Sequence, residues 1–136
     1  MPTVEKIKPA HTDDRGDIID VVDGEEFVHA GICTFAAEGV ERGAHYHKES
    51  DQINYILSGK VRYLSKDLSV DGSEVVEVVL EAGDKVESKP LEWHCMIALE
   101  PAKLLFFTRK AREEGGYEAD VYRVPRADIE KQGKVE

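Results

Sequence analysis

Arg42-Gly43-Ala44-His45-Tyr46-His47-Lys48-Glu49-Ser50-Asp51-Gln52 is the stretch on which the fold of this chain turns. His45 and His47 stand two apart, so on a strand both imidazoles project from one face and Tyr46 from the other. Two histidines then share one site. After a short break the chain enters Gln52-Ile53-Asn54-Tyr55-Ile56-Leu57, where Gln52, Asn54 and Ile56 are expected on a common face. Far along the chain, His94 follows Pro90-Leu91-Glu92-Trp93 and leads into Cys95-Met96-Ile97.

Outward from these segments the chain reads as strands. Period-2 patterns and β-branched runs occupy 17–22, 27–36, 52–57, 61–64, 74–80, 94–99, 104–108 and 117–124. Turn chemistry separates them at Asp13-Asp14-Arg15-Gly16, Asp23-Gly24, Ser58-Gly59-Lys60, Asp71-Gly72, Ala82-Gly83-Asp84 and Gly115-Gly116. Many short strands with close turns and almost no helical periodicity predict an all-β sandwich or barrel. The segment 52–64 is expected to be a hairpin closed at Ser58-Gly59. No repeat or linker divides the chain, so one domain is expected over 1–124, followed by a polar tail over 125–136 that is either frayed or a short helix.

The 136 residues suffice to bury a core, and a composition of 41% hydrophobic and 34% charged residues is that of a globular protein. A formal net charge of -10 argues against nucleic acid and anionic membranes as partners, since both need a basic face. An anionic small molecule would need a local Arg or Lys cluster set against that field. Cys33 and Cys95 are the only cysteines, which argues against a disulfide framework, and both lie in apolar strand-like stretches where a reduced, buried cysteine is common. With no apolar run of signal or membrane length, the chain reads as cytoplasmic.

His45-x-His47, four residues, Gln52, six residues, Gly59 resembles the first motif of the cupins, with glutamine where many members carry glutamate. Gly83, Pro90 and His94 are similar to the second motif, although Glu92 departs from the usual glycine pattern near that proline. The resemblance implies a single-domain cupin β-barrel of the jelly-roll, double-stranded β-helix type. Most cupins hold a divalent metal at these positions. By that likeness His45, His47, Gln52 and His94 are candidate ligands for Zn, Fe, Mn, Ni or Cu, all of which accept neutral imidazole.

A narrower likeness competes with the metal reading. The run 42–48 resembles the Arg-Gly-x-His-Ala-His-Lys segment of the nucleotide-sugar 3,4-ketoisomerases. Asp14-Arg15-Gly16-Asp17, Pro90-Leu91-Glu92-Trp93-His94-Cys95-Met96 and Tyr117-Glu118-Ala119-Asp120-Val121-Tyr122-Arg123 are similar to further segments of that family. Arg42-Gly43-Ala44-His45-Tyr46 also resembles the related dTDP-4-dehydrorhamnose 3,5-epimerases, but His47 stands where they carry glutamine. The likeness implies metal-free acid/base chemistry on a 4-keto-6-deoxy sugar carried by a nucleoside diphosphate. It implies His45 as one acid/base, His47 as its partner or relay, Arg42 or Arg62 on the diphosphate, and Gln52 and His94 as further substrate contacts; Tyr122 and Tyr117 stand beside these as candidate proton donors for the sugar ring. A homodimer is expected from the same likeness.

Three functions follow: a sugar-nucleotide isomerase or epimerase, a metal-dependent oxygenase or other isomerase, and a barrel that binds a small ligand without turnover. Other residues read more plainly. Tyr55 and Tyr63 are expected to pack, Trp93 to anchor the core or an interface on the face opposite His94, and Cys95 to point away from His94. His11 and His29 have no partner at ligand spacing.

Overall fold

The computed structural model describes residues 2–110 and 118–129. Among the described residues twelve strands run in chain order: β1 (Thr3–Lys6), β2 (His11–Asp13), β3 (Gly16–Ile18), β4 (His29–Phe35), β5 (Glu41–Tyr46), β6 (Gln52–Ser58), β7 (Lys60–Asp67), β8 (Val76–Glu81), β9 (Asp84–Ser88), β10 (Glu92–Ala98), β11 (Ala102–Thr108) and β12 (Tyr122–Arg123). One sheet has the order β1-β9-β6-β11-β4 and the other β12-β5-β10-β7-β8, all antiparallel. β2 and β3 form a separate small hairpin.

Alternation along each strand divides inside from outside. Phe35, Ile56, Leu104 and Val86 from the first sheet meet Tyr63, Leu80, Met96 and Ala98 from the second in one buried cluster, so the sheets close face to face. The intervening residues of the second sheet point the other way. Leu64, Trp93, Cys95 and Ile97 form an outer cluster, capped by Ile129 from the turn that follows Pro125. Trp93 is fully buried there and donates from Nε1 to the Val124 carbonyl at 2.9 Å. The expectations that Trp93 anchors and that Cys95 faces away from His94 are met. The start of the tail is therefore packed; residues 130–136 lie outside the described residues, as do Gly115-Gly116 and Tyr117. Among the described residues no helix is long and apolar enough to cross a membrane.

The expected hairpin over 52–64 is not one. β6 pairs with β9 and β11, whereas β7 pairs with β8 and β10, so Ser58-Gly59 is a corner that carries the chain from one sheet to the other. Gly59 has φ +83, as a tight hairpin would also require, but its deciding contact is distant: an added Cβ would meet the Pro101 carbonyl oxygen and lie 2.7 Å from Ala102 Cα. The second crossing, between β10 and β11, packs directly on the first, and Leu99 N donates to Lys60 O at 2.9 Å. Gly59→Ala is expected to destabilise by about 2–3 kcal/mol, since it adds a backbone clash to a left-handed conformation. Denaturant unfolding checks this; a loss below about 0.5 kcal/mol contradicts the corner.

Candidate active site

The cavity lies between the sheets, about 400 Å³ in volume. Glu41, Arg42, Gly43, His45, His94, Met96 and Arg123 form one wall, and Cys33, Phe35, Gln52, Asn54, Leu104 and Phe106 the other. The histidine wall is shaped by a backbone irregularity. β5 and β10 place His45 opposite His94, but the register shifts between His94 and Cys95, so Gly43 is the next partner and Ala44 is an extra residue. Gly43 (φ +93) and Ala44 (φ +58) are both left-handed. A Cβ on Gly43 would lie 3.0 Å from the His94 carbonyl oxygen, which reserves the position for glycine. Ala44 carries a left-handed strain of about 1–2 kcal/mol and packs its methyl on the outer cluster.

His45, His47 and His94 converge. Their ring centroids are 5.0 Å (His45–His47), 4.7 Å (His45–His94) and 5.6 Å (His47–His94) apart. One nitrogen from each lies within 4.8 Å of the others. Two of the rings are oriented by main-chain carbonyls. His47 Nδ1 donates to Asp120 O at 2.8 Å, and His94 Nδ1 to Glu92 O at 3.1 Å. A carbonyl only accepts, so both rings carry their proton on Nδ1 and present Nε2 as the basic atom. His45 Nδ1 is buried with no hydrogen-bond partner among the described residues.

Electrostatics keeps these rings neutral. Burial, then His47 and Arg123, bring His45 down to about 4. Burial, then His45 and His47, bring His94 down to about 3 against the opposing pull of the Glu92 carbonyl. Burial also lowers His47, although Asp120 works against it. Beneath His94 is a buried polar network. Tyr63 OH donates to Glu92 Oε2 at 2.6 Å and meets Ser88 Oγ at 2.8 Å, while its ring lies nearly parallel to His94 at 6.2 Å. Burial pushes both the Glu92 carboxyl and the Tyr63 phenol up.

His45, His47, His94, Gln52 and Arg42 thus come to one place. Gln52 reaches it from the opposite sheet, with Nε2 donating to Asn54 Oδ1 at 2.8 Å. Arg42 Nε donates to Thr34 O at 2.9 Å, and its guanidinium lies 5.7 Å from the Phe35 ring centroid. Two expected residues are elsewhere. Tyr122 pairs with Tyr46 and stacks on it at 5.3 Å on the outer face, with Lys48 Nζ 4.6 Å from its ring centroid. One step along β12 the alternation reverses, so Arg123, paired with His45, lines the cavity instead. Arg62 lies between inward Val61 and Tyr63 and grips Glu77 through Nε at 3.0 Å and NH2 at 2.8 Å, outside the cavity. Arg123 and the carbonyls of Asp120 and Glu92 went unread because only strand pairing and loop packing identify them. His29 packs edge-on to Phe106 at 5.3 Å, and His11 pairs with Asp13 at 3.0 Å.

Residues 31–108 match the Cupin domain family. The chain belongs to that family. No curated protein sequence is a significant match. Among solved structures it is similar to a 3,4-ketoisomerase from Helicobacter canadensis, with 18% identity, TM-score 0.75 and coverage of 98% of this chain and 97% of that one. It is also similar to the QdtA 3,4-ketoisomerase from Thermoanaerobacterium thermosaccharolyticum, a double mutant in complex with TDP, at 23% identity and TM-score 0.70, covering 98% and 95%. A third is ChmJ, a 3'-monoepimerase from Streptomyces bikiniensis in complex with dTDP-quinovose, at 16% identity and TM-score 0.77, covering 93% and 71%. At these identities the likeness is one of fold.

Proposed function

We propose that the cavity isomerises a 4-keto-6-deoxy sugar linked to a nucleoside diphosphate by taking a proton from the carbon next to its ketone and returning one to the former carbonyl carbon. The observation that carries this reading is the convergence of three imidazoles, with burial lowering the pKa of each, two of which (His45 and His94) line a cavity that also holds Arg42 and Arg123. A neutral imidazole takes the proton α to the ketone, and the C–H electrons form an enediolate whose charge rests on the former carbonyl oxygen. Oxygen-to-oxygen proton transfer and delivery of a proton to the old carbonyl carbon complete the isomerisation, with no atom gained or lost. His45 serves as the base, and His47 and His94 pass the proton through Nε2. Arg42 and Arg123 supply the local positive charge that a diphosphate needs at a protein of net charge -10. That diphosphate in turn raises the basicity of the neighbouring imidazoles.

Proton NMR of purified protein incubated with dTDP-4-keto-6-deoxyglucose is expected to show a new keto isomer or epimer. Tight binding without turnover would instead favour a ligand-binding barrel, and neither binding nor turnover by folded protein contradicts the proposal.

A second reading rests on the same three histidines. Nitrogens within 4.8 Å of one another, two of them on rings whose Nδ1–H meets a main-chain carbonyl, fit a divalent transition metal, with Gln52 in the same cavity. A bound ion would be held by His45, His47 and His94 and would act as a Lewis acid on a substrate oxygen. Elemental analysis after growth with supplemented metals separates the readings. Near one equivalent supports the metal, and less than about a tenth of an equivalent rejects it.

A further inference from the structure

Asp120 is buried at the end of a 3-10 turn (Glu118–Asp120) and meets the far end of β5 through four separate hydrogen bonds. Its carboxylate accepts from three successive backbone amides: Lys48 N to Oδ1 at 2.9 Å, Glu49 N to Oδ2 at 2.9 Å and Ser50 N to Oδ2 at 2.8 Å. Its carbonyl accepts from His47 Nδ1 at 2.8 Å. Charge-assisted bonds of this kind are among the strongest a protein makes, and these three fix the main chain directly after His47. The same segment then enters β12, which pairs with β5 and brings Arg123 to the cavity.

From this geometry we infer that Asp120 is a positioning residue: its carboxylate clamps the 48–50 turn so that its own carbonyl sets the tautomer and orientation of His47. The carbonyl alone would not hold the ring. Among the described residues the three amide bonds to the carboxylate are the polar links between the 3-10 turn and the 48–50 turn, and without them the distance between Asp120 O and His47 Nδ1 is expected to grow. A released imidazole reverts to the Nε2–H form that histidine favours in water, and its basic atom turns away from His45 and His94. The tautomer is independent of any substrate. Its catalytic consequence rests on the isomerase reading above.

The test is ¹⁵N NMR of the histidine rings in EDTA-treated full-length protein: wild type, Asp120→Ala and Asp120→Asn. In wild type, His47 is expected to carry its proton on Nδ1. In Asp120→Ala the His47 signals are expected to move to a mixture dominated by Nε2–H, while His94, held by the Glu92 carbonyl, stays protonated on Nδ1. Asp120→Asn keeps one acceptor oxygen where the carboxylate has two; it is expected to fall between, and it carries the test if Asp120→Ala does not fold. A wild-type His47 protonated on Nε2, or a variant His47 unchanged on Nδ1, overturns the inference. With a 4-keto sugar nucleotide, kcat of the alanine variant is expected to drop about 10- to 100-fold with KM within about twofold of wild type. A tautomer shift without loss of kcat rejects the positioning role. Absence of turnover in wild type rejects the isomerase reading and leaves the tautomer result standing.

Discussion

Replacing His45 with asparagine is expected to lower the rate of proton transfer on a 4-keto sugar nucleotide by about 10²–10⁴-fold. Asparagine keeps polarity and approximate bulk in the cavity but neither takes nor gives a proton near pH 7. His45 is the sensitive position because it is centred among the three rings, opposite His94 across the β5–β10 ladder and 5.0 Å from His47. Its Nδ1 has no described hydrogen-bond partner, so unlike the other two it is not pinned to one tautomer by a main-chain carbonyl. The pH dependence follows from the same environment. The base must be neutral, and His45 is held down to about 4, so kcat/KM of the wild type is expected to stay level from pH 8 to about 5 and fall only as pH drops through that value. A steep fall centred on 6.5 would mean that the working base is not buried in this cavity.

The second large effect is on stability. A histidine kept neutral by burial has a lower pKa folded than unfolded, so the unfolded chain takes up protons first as the pH falls. Stability from this source is therefore complete above about 6.5 and is lost as pH descends towards 4 for His45 and 3 for His94. By pH 5 the loss is about 2 kcal/mol for each of these histidines. Asp120, which burial would raise but the amides of Lys48, Glu49 and Ser50 hold down to about 2, gives up its contribution only at lower pH. Urea unfolding of EDTA-treated protein is expected to show a midpoint that is nearly level from pH 7.5 to about 6.5 and falls from there to pH 5. His94→Asn removes the largest depression and should flatten the curve. A wild-type midpoint constant over that range contradicts the buried neutral triad.

Which parts of this architecture were legible beforehand depends on the range of the interactions. The His45/His47 pair could be read because alternation along a strand is local, and Tyr46 duly points outward onto Tyr122. His94 could be placed with them through its motif, and Gln52 through the period of β6. The corner at Gly59 misled because positive φ serves a hairpin and a sheet crossing alike; Pro101 and Ala102, which decide the matter, are over forty residues away in sequence. Arg123 and not Tyr122 faces the cavity because one step of register swaps the faces of a strand, and only pairing with β5 sets that register. Arg62 carried the right charge on the wrong face. The carbonyls that orient His47 and His94 belong to Asp120 and Glu92, and no residue-type signal marks a main-chain acceptor.

The central claim is that this cavity moves protons α to a ketone through neutral histidine. Its most direct test is incorporation of solvent deuterium into dTDP-4-keto-6-deoxyglucose at pH 7 in EDTA, followed by mass spectrometry and NMR for wild type and His45→Asn. Wild type is expected to add deuterium at a carbon next to the ketone, and His45→Asn to do so at least about 100-fold more slowly. No incorporation by folded wild type, or equal incorporation by the two proteins, contradicts the account.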